Sequence, residues 1–147
     1  MKSDKHKNSQ GTVRDYYREK GFISIIEYYI NGKKIDVLAQ DIKTKYAIAN
    51  EIQLSPKHFI ENILLDFKAG CDEVRIITLD NNTLIQIKEK ASSEIDKSLL
   101  GRIRFQHIEE FIPHLCNKNN KQYWNTREFN TEFKLEDNVE QNLEERR

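Results

Sequence analysis

The stretch Tyr46-Ala47-Ile48-Ala49-Asn50-Glu51-Ile52-Gln53-Leu54-Ser55-Pro56 decides how this chain is read. Its apolar, period-two run predicts a strand over Tyr46–Leu54. Ser55 then serves as a helix N-cap and Pro56 as a first helical residue. Side chains alternate across a strand, so Ala47, Ala49, Glu51 and Gln53 share one face, while Ile48, Ile52 and Leu54 share the other. A carboxylate in a strand that otherwise asks to be buried is costly unless it is paired or bound to a metal.

Working upstream, a second such carboxylate sits in Lys34-Ile35-Asp36-Val37-Leu38-Ala39. Phe22 to Ile30 is β-branched and aromatic, Asn31-Gly32 is a strong hairpin signal, and Lys33 to Gln40 returns as a second strand. If that strand pairs with the next through the polar turn at 41–45, Asp36 and Glu51 come close. Ser9 to Lys20 predicts a short helix carrying Val13, Tyr16 and Tyr17 and ended by Gly21. Downstream, Phe59, Ile60, Ile63, Leu64 and Phe67 recur at helical spacing, Gly70 closes the helix, and Glu73 to Leu79 is an apolar strand. That βαβ unit makes its two strands parallel. Asp80-Asn81-Asn82 is a turn, Thr83 to about Ser93 a helix, Arg102 to Ile108 a strand and Glu109 to Cys116 a last helix. The order α-β-β-β-α-β, then α-β-α, predicts an α/β fold with a mixed central sheet and helices on both sides. A flexible segment is expected at 1–9 and a single domain at 10–116. A polar, largely acidic tail follows at 117–147, partly docked by Tyr123, Trp124, Phe129 and Phe133.

Two carboxylates held near each other become harder to ionise. A hard divalent cation removes the conflict, since Mg²⁺ takes one or two carboxylates and leaves positions for water and phosphate oxygens. It also polarises a phosphoryl group and lowers the pKa of a bound water. Asp36 and Glu51 therefore point to a Mg²⁺ or Mn²⁺ site suited to phosphodiester hydrolysis. The alternative is that the face carrying residues 36, 51 and 53 is simply open to water, where neither acid needs a metal; the Ile- and Ala-rich surroundings stand against it. Lys57 and His58, expected in the first turn of the helix after Ser55-Pro56, are candidates for phosphate contact, or else exposed first-turn residues. Lys33 and Lys34 are candidates for touching a nucleic-acid backbone, or else solvated hairpin charges.

This helix–hairpin–strand–helix–strand order, with Ile35-Asp36-Val37 followed by Glu51-Ile52-Gln53, resembles the PD-(D/E)XK nuclease superfamily, the restriction-endonuclease-like fold. The likeness covers roughly residues 10–80 and continues loosely to about 115. Asn50-Glu51-Ile52-Gln53-Leu54-Ser55 is similar to its Glu-x-Gln variant. The resemblance implies a DNA nuclease in which Asp36 and Glu51 ligate the metal and the Ile52 carbonyl is a third ligand. Gln53 stands where the family usually has Lys; Lys stabilises developing negative charge or orients water, whereas Gln only hydrogen-bonds. The resemblance also implies an extra acid from the first helix, with Asp15 and Glu19 as candidates. Glu27 could line the site instead. His6, Gln106, His107 and His114 read as ordinary polar positions. A homodimer would let such a small domain cut both strands of a duplex.

Composition sets looser bounds. The 147 residues carry 24 basic and 24 acidic side chains, so net charge advertises no nucleic-acid partner. The distribution is uneven, with Lys2, Lys5, Lys7, Arg14, Arg18 and Lys20 in front and an acidic end beyond Glu128. No apolar run approaches the ~20 residues of a membrane span, so no membrane contact and a cytoplasmic setting are expected. Cys71 and Cys116 lack metal-ligand spacing and read as packing thiols. Besides the enzyme, two readings compete. One is a catalytically inactive nuclease-like module for nucleic-acid binding or assembly, and the other is a purely protein-binding domain.

Overall fold

The hairpin forms as Asn-Gly requires. Asn31 and Gly32 take φ of +48° and +80°, both left-handed, and join β1 (Ile23–Ile30) to β2 (Lys33–Gln40) through a two-residue loop. The computed structural model describes residues 3–113. There, β3 (Ala47–Ile52), β4 (Glu73–Thr78) and β5 (Ile103–His107) complete a five-stranded sheet in the order β1-β2-β3-β4-β5. β1–β2 and β2–β3 are antiparallel, while β3–β4 and β4–β5 are parallel. The predicted α/β class and the parallel β3–β4 pair are therefore both present.

Helices cover both faces. On one side α1 (Asp4–Glu19) packs Val13 and Tyr17 against Val37, Ala39, Ile48, Ile52 and Ile77, with Phe111 from a 3-10 turn at Ile108–Phe111. On the other, α2 (Phe59–Lys68) and α3 (Asn81–Glu94) bring Phe59, Ile63, Ile87 and Ala91 onto Ala49, Val74, Ile76 and Ile103. A short α4 (Lys97–Leu100) leads into β5. Among the described residues, no helix is long and apolar enough to cross a membrane.

Several boundaries differ from expectation. α3 begins at Asn81 rather than after an Asp80–Asn82 turn, because the Asp80 carboxylate accepts the Asn82 and Thr83 N–H groups and caps the helix. α1 begins at Asp4, because Ser3 Oγ accepts the His6 N–H at 3.2 Å and caps it. Residues 4–9 are thus helical, and His6, Ser9 and Gln10 continue the buried stripe of Val13 and Tyr17. α2 begins at Phe59, not at Ser55-Pro56. His58 takes a left-handed φ of +62°, and Ser55 Oγ accepts the Lys57 N–H in a local turn. Lys57 and His58 therefore belong to a loop. The expected last helix is only the 3-10 turn as far as Phe111. His114, Cys116 and the aromatic residues of the tail lie outside the described residues.

A buried side-chain pair links the middle of the sheet to α1. Tyr17 Oη donates to Asn50 Oδ1 at 2.9 Å, and Asn50 Nδ2 donates to the Val37 and Ile48 carbonyls. Burial pushes the Tyr17 hydroxyl well above its usual range, so it stays a donor. Tyr17→Phe strands a buried amide oxygen and is expected to destabilise the fold by about 1–2 kcal/mol. Urea midpoints of the variant and parent measure this, and an unchanged midpoint would refute it.

Candidate functional site

β2 is irregular where Asp36 sits. Ile35 packs into the α2-side core, although strict alternation would put it with Val37 and Ala39 on the α1 side. The β2–β3 ladder runs from Gln40↔Ala47 to Val37↔Asn50 and goes no further. Across from Asp36 on β1, Glu27 has φ +54°, unusual for a non-glycine residue inside a strand. In the opening so made, Asp36 Oδ2 accepts the Ile52 N–H at 2.9 Å, replacing a ladder carbonyl. From α1, His6 Nε2 stands 3.3 Å from the same oxygen, and Gln10 Nε2 donates to the Asp36 carbonyl at 3.4 Å and to Glu27 at 3.5 Å. Asp36 is thus fixed where the two strands part, within reach of α1.

Glu51 faces α2. It is 3% exposed, and there it meets Asp66, which is fully buried, and Lys33. Lys33 Nζ lies 2.9 Å from Glu51 Oε2 and 3.2 Å from Asp66 Oδ1, and also donates to the Lys34 carbonyl at 2.9 Å. Burial, then the hydrogen-bonding contact and charge of Asp66, then the charge of Asp36, push the Glu51 carboxyl up to about 10, with Lys33 opposing. Burial raises Asp66 as well, against the pull of Glu51 and Lys33. Burial works against the Lys33 ammonium, but the two acids outweigh it and raise its pKa. Asp66 Oδ2 finds no N–H or hydroxyl donor among the described residues. Glu51 and Asp66 must therefore share a proton or a cation.

Glu73, near the opposite end of the sheet, shows what a satisfied buried acid looks like. Burial opposes its charge, yet Arg75 Nε at 2.7 Å, Arg104 Nε at 3.5 Å and Tyr46 Oη at 2.9 Å hold its pKa below normal. The buried Glu51–Asp66 pair, by contrast, has two carboxyls and one ammonium, that of Lys33. Buried acids with such raised pKa values cluster at functional sites.

The other sequence candidates fall as follows. Gln53 is buried beside Glu51's strand end, but its Nε2 donates to the Ser55 and Lys57 carbonyls at 3.1 and 2.7 Å, tying down the loop. Lys57 and His58 are exposed on that loop, with His58 Nδ1 3.0 Å from Glu61. They border a groove of about 420 Å³, shared with Lys90 and Glu94, that does not include Asp36 or Glu51. Asp15 pairs with Arg14 and, like Glu19, lies on the exposed side of α1; the α1 residues that meet Asp36 are His6 and Gln10. Lys33 is neither a solvated hairpin charge nor a free backbone contact, being held by Glu51 and Asp66. Lys34 is half-buried.

Asp66, His6 and Gln10 were missed by sequence reasoning. Asp66 had a readable signal, since 59, 63 and 66 trace one helical face. Among the described residues, no group of three or more His, Cys, Asp or Glu side chains stands ready-made around a metal position. Here Asp36 is drawn onto the Ile52 N–H, and Glu51 and Asp66 onto Lys33. The Glu51 and Asp66 oxygens nonetheless suit a hard cation: they are carboxyl oxygens, buried, sharing one ammonium, and Asp66 Oδ2 has no N–H or hydroxyl donor among the described residues. No family model, curated protein or solved structure matches the chain.

Proposed function

We propose that the chain is a Mg²⁺- or Mn²⁺-dependent nuclease of PD-(D/E)XK type, hydrolysing DNA phosphodiester bonds at Asp36 and Glu51. The observation that carries this reading is the buried Glu51–Asp66 pair, which shares the single ammonium of Lys33, with Asp36 close enough to act on Glu51 by its charge. Glu51 is pushed up to about 10 there, while the comparable buried acid Glu73 is fully answered by arginines. The five-stranded mixed sheet is compatible with a restriction-endonuclease-like core.

In this reading Asp36 and Glu51 hold the cation, with the Ile52 carbonyl beside them. The bound cation supplies phosphoryl polarisation and an acidified water. Asp36 is oriented by the Ile52 N–H and His6. Gln53 steadies the loop bearing Lys57 and His58, whose side chains are exposed, so that Lys57, and His58 on leaving Glu61, can meet flanking phosphates.

A second reading has one specific observation in its favour. The Gln53 amide nitrogen is committed to two backbone carbonyls, so it supplies no cation where the related nucleases have Lys. A domain that binds nucleic acid without turnover would look the same. Labelled duplex, flap and single-stranded DNA in Mn²⁺ discriminate. Cleavage that EDTA stops and that Glu51→Ala loses by about 10³-fold or more supports the enzyme. Salt-sensitive binding with every substrate intact supports the module.

A further inference from the structure

Resting on that metal-site reading, we propose that the cation position lies between Glu51 and Asp66, that Lys33 fills it in the metal-free protein, and that a divalent ion and the Lys33 ammonium exclude one another there. Lys33 Nζ already sits within 3.2 Å of an oxygen from each acid. A hard cation sits closer still to its carboxylate ligands, at about 2.0–2.6 Å. Two cations cannot share that space.

Asp66 is the second, independent observation. It is fully buried on the α2 face turned to the sheet, and its Oδ2 has no N–H or hydroxyl donor among the described residues. Lys33 alone therefore does not answer both carboxylate oxygens of Asp66. Lys33 is also well placed to leave. It directly follows the Asn31-Gly32 turn, opens β2, and hangs on a flexible four-carbon stem. Asp66 then becomes a ligand that completes the Asp36–Glu51 pair, and Lys33 an internal competitor that sets its affinity.

The arithmetic is that of a partly blocked site: the apparent dissociation constant is the intrinsic one divided by the fraction of time the site is open. Removing the competitor must therefore tighten binding. Mn²⁺ is titrated calorimetrically into the wild-type chain and into Lys33→Met, Lys33→Gln and Asp66→Asn at one pH and ionic strength. Both Lys33 variants are expected to bind Mn²⁺ about tenfold or more tighter, and Asp66→Asn about tenfold or more weaker. Misfolding cannot produce a gain, and Lys33→Gln keeps a hydrogen-bond donor should the methionine variant fold poorly. Binding only in the Lys33 variants also supports the proposal. Wild-type binding with no gain in either Lys33 variant overturns the competition and leaves the Asp36–Glu51 site standing. Unchanged affinity in Asp66→Asn removes Asp66 as a ligand. No binding in any of the proteins overturns the metal site itself, and this inference with it.

Discussion

Glu51→Gln is expected to melt several degrees higher than the parent in EDTA at pH 7.5, while losing divalent-ion binding and cleavage. The buried Glu51 carboxyl has its pKa raised to about 10 by burial and by Asp66. Between the ordinary carboxylate value and about 10, the folded protein holds a proton there that the unfolded chain does not. Stability therefore falls as pH rises through that window, and at neutral pH Glu51 is a net burden on the fold. Glutamine removes the proton uptake and keeps the contacts: its amide N–H can donate to the orphaned Asp66 Oδ2, and its carbonyl can accept from Lys33 Nζ. The gain is on the order of 1–3 kcal/mol at pH 7.5, which is several degrees for a domain of this size. It should shrink towards zero near pH 4, where the parent's carboxyl is protonated in both states. Thermal melts of both proteins from pH 4 to 9 test this. A variant that melts lower at pH 7.5, or a gain that does not vary with pH, would mean that Glu51 is an ordinary Lys33-paired carboxylate. A substitution that strengthens the fold while removing its chemistry is the mark of a residue kept for function.

The backbone frame was legible because local chemistry set it. Asn31-Gly32 needed two left-handed residues in sequence and has them, and alternation through Ala47–Ile52 put Glu51 on the same face as Ala49. Pro56 and Ser55 misled, because the Gln53 amide pulls the Ser55 and Lys57 carbonyls into a loop and delays α2 to Phe59. That delay matters for the site. The apolar residues 59, 60, 63, 64 and 67 suggest a helical face centred near Phe67 that takes in Leu64 and leaves out Asp66, yet Leu64 is 47% exposed and Asp66 is fully buried. Hydropathy alone puts an acid on the solvent side, and only the paired charge of Lys33 reverses that. Lys33 was misread for the complementary reason, since a lysine after a hairpin turn is read as solvated when its partner lies 33 residues away on α2. The start of α1 was hidden because its buried stripe opens with His6, Ser9 and Gln10, which satisfy hydrogen bonds and add nothing to an apolar period.

Asp36 is expected to answer substitution with the opposite sign. Its Oδ2 takes the Ile52 N–H at a point where the β2–β3 ladder has ended and Asp36 is 7% exposed. Alanine leaves that N–H buried without an acceptor and removes the group that faces His6, so Asp36→Ala should destabilise the fold by about 1–3 kcal/mol. Asparagine keeps a carbonyl oxygen that can accept the same N–H, so Asp36→Asn should lose less than half as much. Both should weaken Mn²⁺ binding and cleavage strongly, because a neutral amide oxygen attracts a divalent cation much less than the charged carboxylate does. Urea unfolding in EDTA separates the structural loss from the functional one. Equal stability for Asp36→Ala and the parent would show that the Ile52 N–H does not depend on this carboxylate. Full cleavage by Asp36→Asn would remove Asp36 from the chemistry. If both expectations hold, the two acids divide their work. Glu51 strains the fold for the sake of the site, whereas Asp36 stitches β3 to β2 with the same carboxylate that would hold the cation. The distance between site and scaffold is then one hydrogen bond, and an asparagine at 36 is the cleaner way to silence the protein without disturbing the parting of the strands.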